Sequence, residues 1–529
     1  MRPWRAAQAP PGAIPAAAIR LKTILSKLRQ DAVMRILRSP LPVNHLSVLP
    51  AGSSSPQTPA ARLLLAAAFA GGTLLAGCAT YAPSPLGDGR GSSDVATLSV
   101  AAASMPTRDL AAHTFDPANG LDVTETAMLA VANNPYLRVQ RDALGVARAQ
   151  AFAAGLLPDP QLSLARDRPT SVQPGLTSAF NLGLSYDVGA LLLRSSNLRA
   201  AHRVNDQVRL DLLWAEWQTV AQARLLFGEV LSTRAQEQVL SREEAALEPI
   251  DRQVQRALAA GNLTFDGASA GLNALADVRR QLAQTTRQRI QAEHDLRLLL
   301  GLAPQVPLDL VGPVYRVSPT PAQVQQALAL LPRRRPDLLA LQAGYAAQEA
   351  RLRGAIIAQF PAISIGLTRA RDTAGVYSSG LNLGITLPLF NRNRGNIAIA
   401  KATRQQLHDD YDARLLAARG DMLKLQQDLA SLHTQIDALE LHARQLDAAR
   451  QAGERAWHAN LLDWPTYLTL RSSALAADLE LVALRQEQAR QAIALDTLLG
   501  GDWTDQTLPR TSAATDPSAP SPSTSKRLP

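Results

Sequence analysis

The chain has 529 residues, a formal net charge of +9 and an aromatic content of only 4%. So few aromatic residues argue against several large compact cores, and the prevalence of Ala, Leu, Arg and Gln is typical of long helices. The positive charge does not indicate nucleic-acid binding, because most arginines lie singly beside acidic residues or glutamine, with no aromatic–basic platform. The single cysteine excludes an intramolecular disulfide.

The first element in the chain is an uncharged apolar run from Leu63 to Gly77 that follows Arg62. A basic flank, a short apolar stretch and small residues at its end form the pattern of a secretory signal. The run has about 15 residues, fewer than the ~20 of a membrane-spanning helix. It ends in LAGC, which resembles a bacterial lipobox, and this resemblance implies that cleavage leaves Cys78 as a lipid-modified N-terminus. Ala79 is compatible with outer-membrane sorting. The alternative is a buried helix with an incidental cysteine.

An internal repeat follows at an offset of 201 residues. The segment that begins at Asn133 aligns without a gap, over about 50 residues, with the segment that begins at Arg334. Pro160 matches Pro361, and the NLG motif at residues 181–183 matches the one at 382–384. A constant offset with the same landmarks indicates a duplication that forms two halves of one architecture.

Each repeat contains two stretches in which apolar and polar residues alternate, which predicts strands with one apolar face. The predicted β-hairpins span residues 160–188 and 361–390, and their loops are rich in Pro, Ser, Thr and Gly. The longer stretches approach the ~9–11 residues that a tilted strand needs to cross a bilayer. The alternating apolar residues of these longer stretches are Phe180, Leu182, Leu184 and Tyr186, and then Leu381, Leu383, Ile385, Leu387 and Leu389.

A long helical hairpin is predicted after each pair of strands, at residues 195–300 and 396–500. The outgoing helices break at Ala260-Gly261-Asn262 and at His458-Ala459-Asn460, and a second helix then runs back. A heptad pattern in the second outgoing helix predicts coiled-coil packing, although an ordinary helical bundle is the simpler alternative. The heptad residues are Leu415, Met422, Leu425, Leu429, Leu432, Ile436, Leu439 and Leu446.

These elements define a domain organisation for the whole chain. No other apolar run approaches 20 residues, so the sequence predicts no membrane-spanning helix, and a membrane crossing must use strands. The predicted divisions are a leader (1–77), a lipidated N-terminal segment (78–120), repeat 1 (121–300), a linker (301–320), repeat 2 (321–500) and a disordered tail (501–529).

Four amphipathic strands cannot close a barrel, and open strand edges in lipid would leave backbone groups unpaired. Three copies would supply twelve strands, an even number within the range of closed outer-membrane barrels. The sequence therefore predicts a mixed α and β membrane protein with two internal repeats. In this fold, four strands per chain complete a trimeric 12-stranded barrel, and a long α-helical coiled coil continues from it.

The order and duplication of these segments resemble the TolC-type outer membrane efflux factors, in the lipoprotein branch of that family. The segments that carry the resemblance are NNP, RRPDL, SAFNLGLSYDV, LNLGITLPLFNRNRG, LAAGNLTFDG and WHANLLDWPTYL, within residues 121–500. The resemblance implies a homotrimer with a barrel in the bacterial outer membrane and a helical tunnel through the periplasm. It also implies that the tunnel tip meets a periplasmic adaptor and an inner-membrane pump. The chain would then export drugs, metal ions or other small molecules passively, without catalysis.

The tip of the helical hairpins is the predicted site of gating and adaptor contact, because the turns are the only irregular backbone where the helices converge. Leu461 and Leu462 would form a dewetting constriction and Asp463 a ring of charge, unless both leucines simply pack between helices. Members of the family usually have Gly at both breaks, whereas this chain has Asn at the second, a residue that also tolerates the left-handed conformation. The predicted tip residues are Gly261, Asn262, Leu263, Asn460, Leu461, Leu462 and Asp463.

No motif for a nucleophile, a phosphate loop or a zinc site is found in the sequence, and the eight histidines lack ligand spacing. We therefore expect no catalytic residue, no cofactor and no metal site. The alternative function is a lipid-anchored periplasmic coiled-coil scaffold without a channel. The uncharged stretch from Leu381 to Leu389 argues against that alternative, because a water-facing sheet would not expose so much apolar surface.

Overall fold

The structure is a computed structural model, which describes residues 81–500 except 88, 90, 171–174 and 314–318; the side chains of 266, 267 and 270 are also not described. The predicted leader, Cys78 and the predicted tail lie outside the described residues. Contacts divide the chain into two compact units, residues 1–86 and 87–529, and the architecture below belongs to the second unit.

Long helices and one small sheet make up the described part of this unit. Strands β1 to β4 span Gln161–Asp167, Ala179–Asp187, Ala362–Arg371 and Tyr377–Thr386. Three helices precede the sheet: α1 (Arg108–Ala112), α2 (Val123–Asn133) and α3 (Pro135–Gly155). The other helices are α4 (Val188–Ala259), α5 (Phe265–Leu299), α6 (Pro321–Arg334), α7 (Pro336–Ile357), α8 (Arg394–His458) and α9 (Trp464–Leu499).

The four strands form one antiparallel sheet in the order β1-β2-β3-β4. The pairing of β2 with β3 joins the two repeats, and β1 and β4 are the edges. The four predicted strands are thus confirmed, but the predicted extension of the last strand to Leu389 is wrong. Strand β4 ends at Thr386, because Pro388 has no N–H to donate to a ladder.

One face of the sheet is apolar and the other is built from small polar residues. The register aligns Leu162, Leu184, Leu367 and Leu381 in one row across all four strands, and these side chains are 46–73% exposed. On the opposite face the neighbouring row is Ser163, Gly183, Thr368 and Gly380. Contact of the leucine row with water would be unfavourable. An exposed, contiguous apolar patch of this kind marks an interaction surface.

The NLG glycines lie where the small-residue face is most crowded. A Cβ on Gly183 would lie 2.5 Å from the hydroxyl of Ser163, and a Cβ on Gly384 would lie equally close to that of Ser364. These two pairs are equivalent in the repeat. The duplication is therefore visible in packing as well as in sequence.

The long helices continue directly from the strands. Helix α4 begins at Val188, immediately after β2 and earlier than the predicted residue 195, and the Asp187 side chain accepts a hydrogen bond from the N–H of Ala190. With 72 residues, α4 would be about 110 Å long at ~1.5 Å per residue. All eight predicted heptad residues of α8 are buried or half-buried, whereas Leu416, Leu423 and Leu441 are exposed.

The NNP motif joins the start of repeat 1 to the end of its helical hairpin. Asn134 accepts hydrogen bonds from the N–H groups of the first turn of α3, and its amide donates to the carbonyl of Leu299 at 2.9 Å. Asn133 donates to the carbonyl of Leu300 at 2.6 Å. The motif therefore caps the N-terminus of α3 and the C-terminus of α5 together.

The two helical hairpins are held together by polar contacts between α4 and α9. Arg224 donates to Asp496 at 2.8 Å, and both side chains are 5% exposed; Arg224 also pairs with Asp109 of α1. Further along, Ser232 donates to Gln486 at 2.8 Å. Breaking a buried ion pair is strongly destabilising, so such contacts fix which faces of the helices meet.

Candidate functional site

The two turns at the ends of the helical hairpins have the same backbone structure. Gly261 has φ +70° and Asn460 has φ +56°, so both occupy the left-handed region. The next residue in each turn, Asn262 or Leu461, donates its N–H back to the helix, at 2.9 Å to Ala257 and 2.8 Å to Ala456. This is the common left-handed termination of a helix, and the expected left-handed conformation of Asn460 is confirmed.

The predicted tip residues divide into exposed and packed groups. Leu461 is 81% exposed, and Asn262 and Asp463 are also exposed. In contrast, Leu263 and Leu462 are half-buried against the apolar cluster under the tip. The alternative that the leucines pack between helices therefore describes Leu462 and not Leu461.

Aromatic packing supports the second turn. The rings of Trp457 and Tyr467 are stacked, with centroids 5.0 Å apart and planes within 6° of parallel, and Tyr467 is 1% exposed. Trp464, the first residue of α9, lies against Gly271 of α5, where any Cβ would overlap its ring. The turn of repeat 2 is thus packed directly onto a helix of repeat 1.

Arg471 is the charged centre of this cluster, about two helical turns into α9. It donates to both carboxylate oxygens of Glu243 of α4, at 2.9 and 2.6 Å, and to the hydroxyl of Tyr467 at 2.8 Å. Its side chain is 6% exposed, and that of Glu243 is 12% exposed. A bidentate Arg–carboxylate pair is both strong and directional, so it fixes the distance between the two hairpins near the tip.

The Arg471 guanidinium stays charged in this setting. Burial alone would lower its pKa, but the hydrogen bonds and the negative charge of Glu243 raise the pKa above the ordinary value of arginine. Protonation changes of Arg471 therefore play no part in the behaviour of the tip. This pair leaves no signal in the sequence, because Glu243 and Arg471 are 228 residues apart and each is an ordinary polar residue on a helix.

A charged groove of about 760 Å³ lies beside the Arg471–Glu243 pair, between α4, α8 and α9. Burial, with a smaller contribution from the nearby Asp447 carboxylate, raises the pKa of Asp478 in this groove. Both signs of charge alternate along the walls, so the groove does not select one sign of ion. Its ionisable lining residues are Arg242, Glu243, Glu440, Arg444, Asp447, Arg450, Glu454, Arg471, Asp478 and Arg485.

Away from the tip, a histidine and two carboxylates converge at the start of α2. His113 Nε2 is 3.4 Å from Asp122, whose side chain caps the helix, and Glu125 accepts the N–H groups of Asp116 and Asp122. The carboxylates are thereby engaged as a capping box. Their hydrogen bonds explain why the three residues converge.

None of the described helices combines the length and the apolar character that a bilayer crossing requires.

The fold defines a class of protein: four antiparallel strands continued by long helical hairpins form the TolC-like fold of outer membrane channels. The structure superimposes on a crystal structure of the channel CusC with a TM-score of 0.62 and 20% identity, over 75% of this chain and 97% of that one.

Sequence comparisons point to the same class of protein. The profile of the outer membrane efflux proteins matches residues 325–501. The pyoverdine export outer membrane protein OpmQ of Pseudomonas putida is 27% identical over 390 residues, which cover 68% of this chain and 80% of OpmQ. The cation efflux protein CusC of Escherichia coli is 26% identical over 269 residues, or 47% of this chain and 56% of CusC.

The chain is therefore similar to the outer membrane efflux proteins over about two thirds of its length. It is the outer membrane channel component of an efflux system and not an enzyme. Its sheet lies in the bacterial outer membrane and its helices extend into the periplasm.

Arg471→Met should loosen the packing of the two hairpins near the tip. The change leaves Glu243 buried without a partner, which costs about 3 kcal/mol or more for a buried pair. We expect faster hydrogen exchange of the tip amides in α4 and α9, measured by mass spectrometry.

Arg485→Met is the matched control. Arg485 pairs with Glu440 at 2.7 Å, but both side chains are more than one third exposed. Loss of this exposed pair should lower the free energy of unfolding by less than ~1 kcal/mol. Equal exchange rates in the two variants would contradict a special role for the Arg471–Glu243 pair.

Proposed function

We propose that three copies of the chain assemble into a closed 12-stranded barrel in the outer membrane, continued by a coiled-coil tunnel through the periplasm. The observation that carries the proposal is the exposed apolar row across a sheet with two unpaired edges. In hydrocarbon, each unpaired backbone group costs several kcal/mol. Pairing β4 of one copy with β1 of the next removes both edges and places the leucine row against lipid.

The tunnel would connect with a periplasmic adaptor protein and through it with an inner-membrane pump. The exposed side chains of Leu461, Asn262 and Asp463 are available for such a contact, because they lie outside the packed cluster under the tip. The chain has no energy-coupling motif of its own. Export is therefore passive on the side of this chain and driven by the pump.

The exported solutes are small molecules of more than one class. OpmQ is named for pyoverdine export and CusC for cation efflux, and most residues on the small-residue face of the sheet here are uncharged. We infer that the strands provide an unselective path for drugs, metal ions or other solutes, and that the partner pump determines which solute enters.

The scaffold alternative is less consistent with the structure. A soluble sheet would bury its apolar face against another element, whereas Leu162, Leu164, Leu367 and Leu381 are each more than 60% exposed.

We further propose that the gate is the tip itself, held shut from behind by the Arg471–Glu243 pair. Leu461 projects from the end of the hairpin, and three copies would repeat it around the axis. Hydrophobic constrictions of this kind gate by dewetting. Asp463 lies beside it without a side-chain hydrogen bond to the first turn of α9, so its carboxylate is free to form a ring of charge.

The channel proposal is tested by two substitutions at adjacent residues of β4. Leu381→Asp places a charge on the lipid-facing side in each of three copies, where it opposes insertion, so we expect no stable trimer and no conductance in planar bilayers. Asn382→Asp places the same charge on the small-residue face, and this variant should form trimers with increased cation selectivity. A Leu381→Asp protein that remains folded, soluble and monomeric without detergent would instead support the scaffold.

Gating at the tip is tested by comparing two neighbouring leucines. Leu461→Ala should raise the open fraction in single-channel recordings without a change in thermal stability, because Leu461 is 81% exposed. Leu462→Ala should lower the free energy of unfolding by about 1–3 kcal/mol through lost packing, in line with partial burial. If neither Leu461→Ala nor Asp463→Ala alters the closed fraction, the gate lies elsewhere.

The lipid anchor at Cys78 is a separate proposal that is supported by the LAGC motif. Cys78→Ser should abolish the mass increment of the lipid and leave an unprocessed precursor. Much of the transport should survive, since twelve strands hold a protein in the membrane more firmly than acyl chains do. Intact-mass analysis of a mature chain that begins upstream of an unmodified Cys78 would contradict lipidation.

A further inference from the structure

Three arginines lie on the apolar face of the sheet at the end away from the helices. The register aligns Arg166, Phe180, Arg371 and Tyr377 in the last full row across the four strands, and Arg369 lies one row closer to the helices. The next row is the one formed by four leucines. The apolar face therefore changes, within two rows, from leucine to arginine and aromatic residues.

The opposite end of the same face contains no arginine. Its rows consist of Tyr186, Ile365 and Leu383, followed by Ile363 and Ile385. The strands are thus asymmetric along their length, with positive charge only at the loop end. Because the helices extend into the periplasm, the loop end is the outer end of the sheet.

An aromatic ring positions one of these arginines, and among the described residues no carboxylate forms an ion pair with any of the three. The guanidinium of Arg371 lies 5.5 Å from the ring centroid of Tyr377, which packs edge-to-face against Phe180 at 6.1 Å. The Nε of Arg371 is buried without a hydrogen-bond partner, while Arg166 and Arg369 are exposed.

The two nearby aspartates do not neutralise this charge. Asp167 lies on the small-residue face of β1, because it follows Arg166 in the strand. Asp372 accepts the N–H of Val376 in the turn between β3 and β4 at 2.9 Å. Charged groups on a lipid-facing surface are strongly unfavourable at mid-membrane and become acceptable near the interface. At the outer rim of the sheet, Arg166, Arg369 and Arg371 would therefore meet lipid headgroups.

We propose that Arg166, Arg369 and Arg371 form a binding strip for the phosphate groups of an anionic glycolipid in the outer leaflet. A guanidinium presents two parallel N–H donors that match two phosphate oxygens, and the aromatic rings suit the boundary between hydrocarbon and headgroup. This inference rests on the proposed barrel, which makes the apolar face the lipid-facing one. Closure by three copies would bring the end of one strip beside the start of the next.

The test uses the full chain, purified in a neutral detergent, and bisphosphorylated lipid A as the probe. Native mass spectrometry would count bound lipid A across a titration. The triple variant Arg166→Gln/Arg369→Gln/Arg371→Gln should bind at least about tenfold more weakly, and wild-type affinity should fall as salt rises. The same three positions changed to Lys keep the charge but lose the fork of donors, so we expect an intermediate affinity.

The matched control is Arg351→Gln/Arg353→Gln/Arg394→Gln. It removes the same charge from three exposed arginines in α7 and α8, and its affinity for lipid A should stay within about twofold of the wild type. An equal loss in the control would overturn the strip, as would unchanged affinity in the glutamine triple variant. Competition by inorganic phosphate at equal phosphate concentration would also overturn a lipid site.

Conductance of the same preparations separates this inference from the proposed channel. A glutamine triple variant that conducts normally and binds lipid A like the wild type removes the strip and leaves the channel intact. A wild-type protein that neither forms trimers nor conducts removes the channel itself. If the glutamine triple variant fails to assemble, Arg369→Gln alone decides, because that side chain is exposed; an affinity equal to that of the wild type would then overturn the strip.

Discussion

The requirement that backbone N–H and C=O groups be hydrogen-bonded within hydrocarbon shapes the whole molecule. The sheet satisfies it between its strands and leaves it unsatisfied at β1 and β4, and the proposed pairing of β4 with β1 of a second copy would satisfy it there. The exposed leucines on one face and the small polar residues on the other follow from the same membrane setting. Helix α4 follows β2 directly and is capped by Asp187, so no irregular segment separates the strand from the helix.

Buried ion pairs join the two repeats at two levels along the helices. Close to α1 the hairpins share the buried Arg224–Asp496 pair, and near the tip they share the Arg471–Glu243 pair with Tyr467. Coiled-coil seams of leucine bury surface but tolerate sliding of one helix past another. Buried, directional ion pairs do not, because a displaced partner remains desolvated. The α4–α9 interface therefore sets the alignment of the two hairpins, and this alignment determines the position of the turns.

Local patterns in the sequence predicted the strands and helices well, but they could not predict contacts between residues that are far apart in the chain. Period-2 alternation located all four strands, and the Gly261 and Asn460 breaks located both turns. The end of β4 was misplaced because alternation of Leu387 and Leu389 outweighed the missing N–H of Pro388. Three features depend on which helices or strands are neighbours, and local patterns do not show this. They are the burial of Leu462 but not Leu461, the Glu243–Arg471 pair, and the row that contains Arg166 and Arg371. Only the arginines on β3 left a signal, since Arg369 and Arg371 continue the alternation of Ile363, Ile365 and Leu367.

The small-residue face of the sheet would line the pore of the proposed channel, and its residues would determine how the pore width can change during evolution. Gly183, Gly366, Gly380 and Gly384 contribute no side chain to that face. A Cβ on Gly183 or Gly384 would lie 2.5 Å from a serine hydroxyl, whereas a Cβ on Gly380 would lie 3.5 Å from its nearest neighbour and fits. Alternation separates these positions from the lipid-facing leucines, and substitutions that add volume inside leave the outer surface unaltered. The width of the proposed pore could therefore decrease by a methyl group at Gly380 in each of the three copies, while the anchoring in the membrane stays the same.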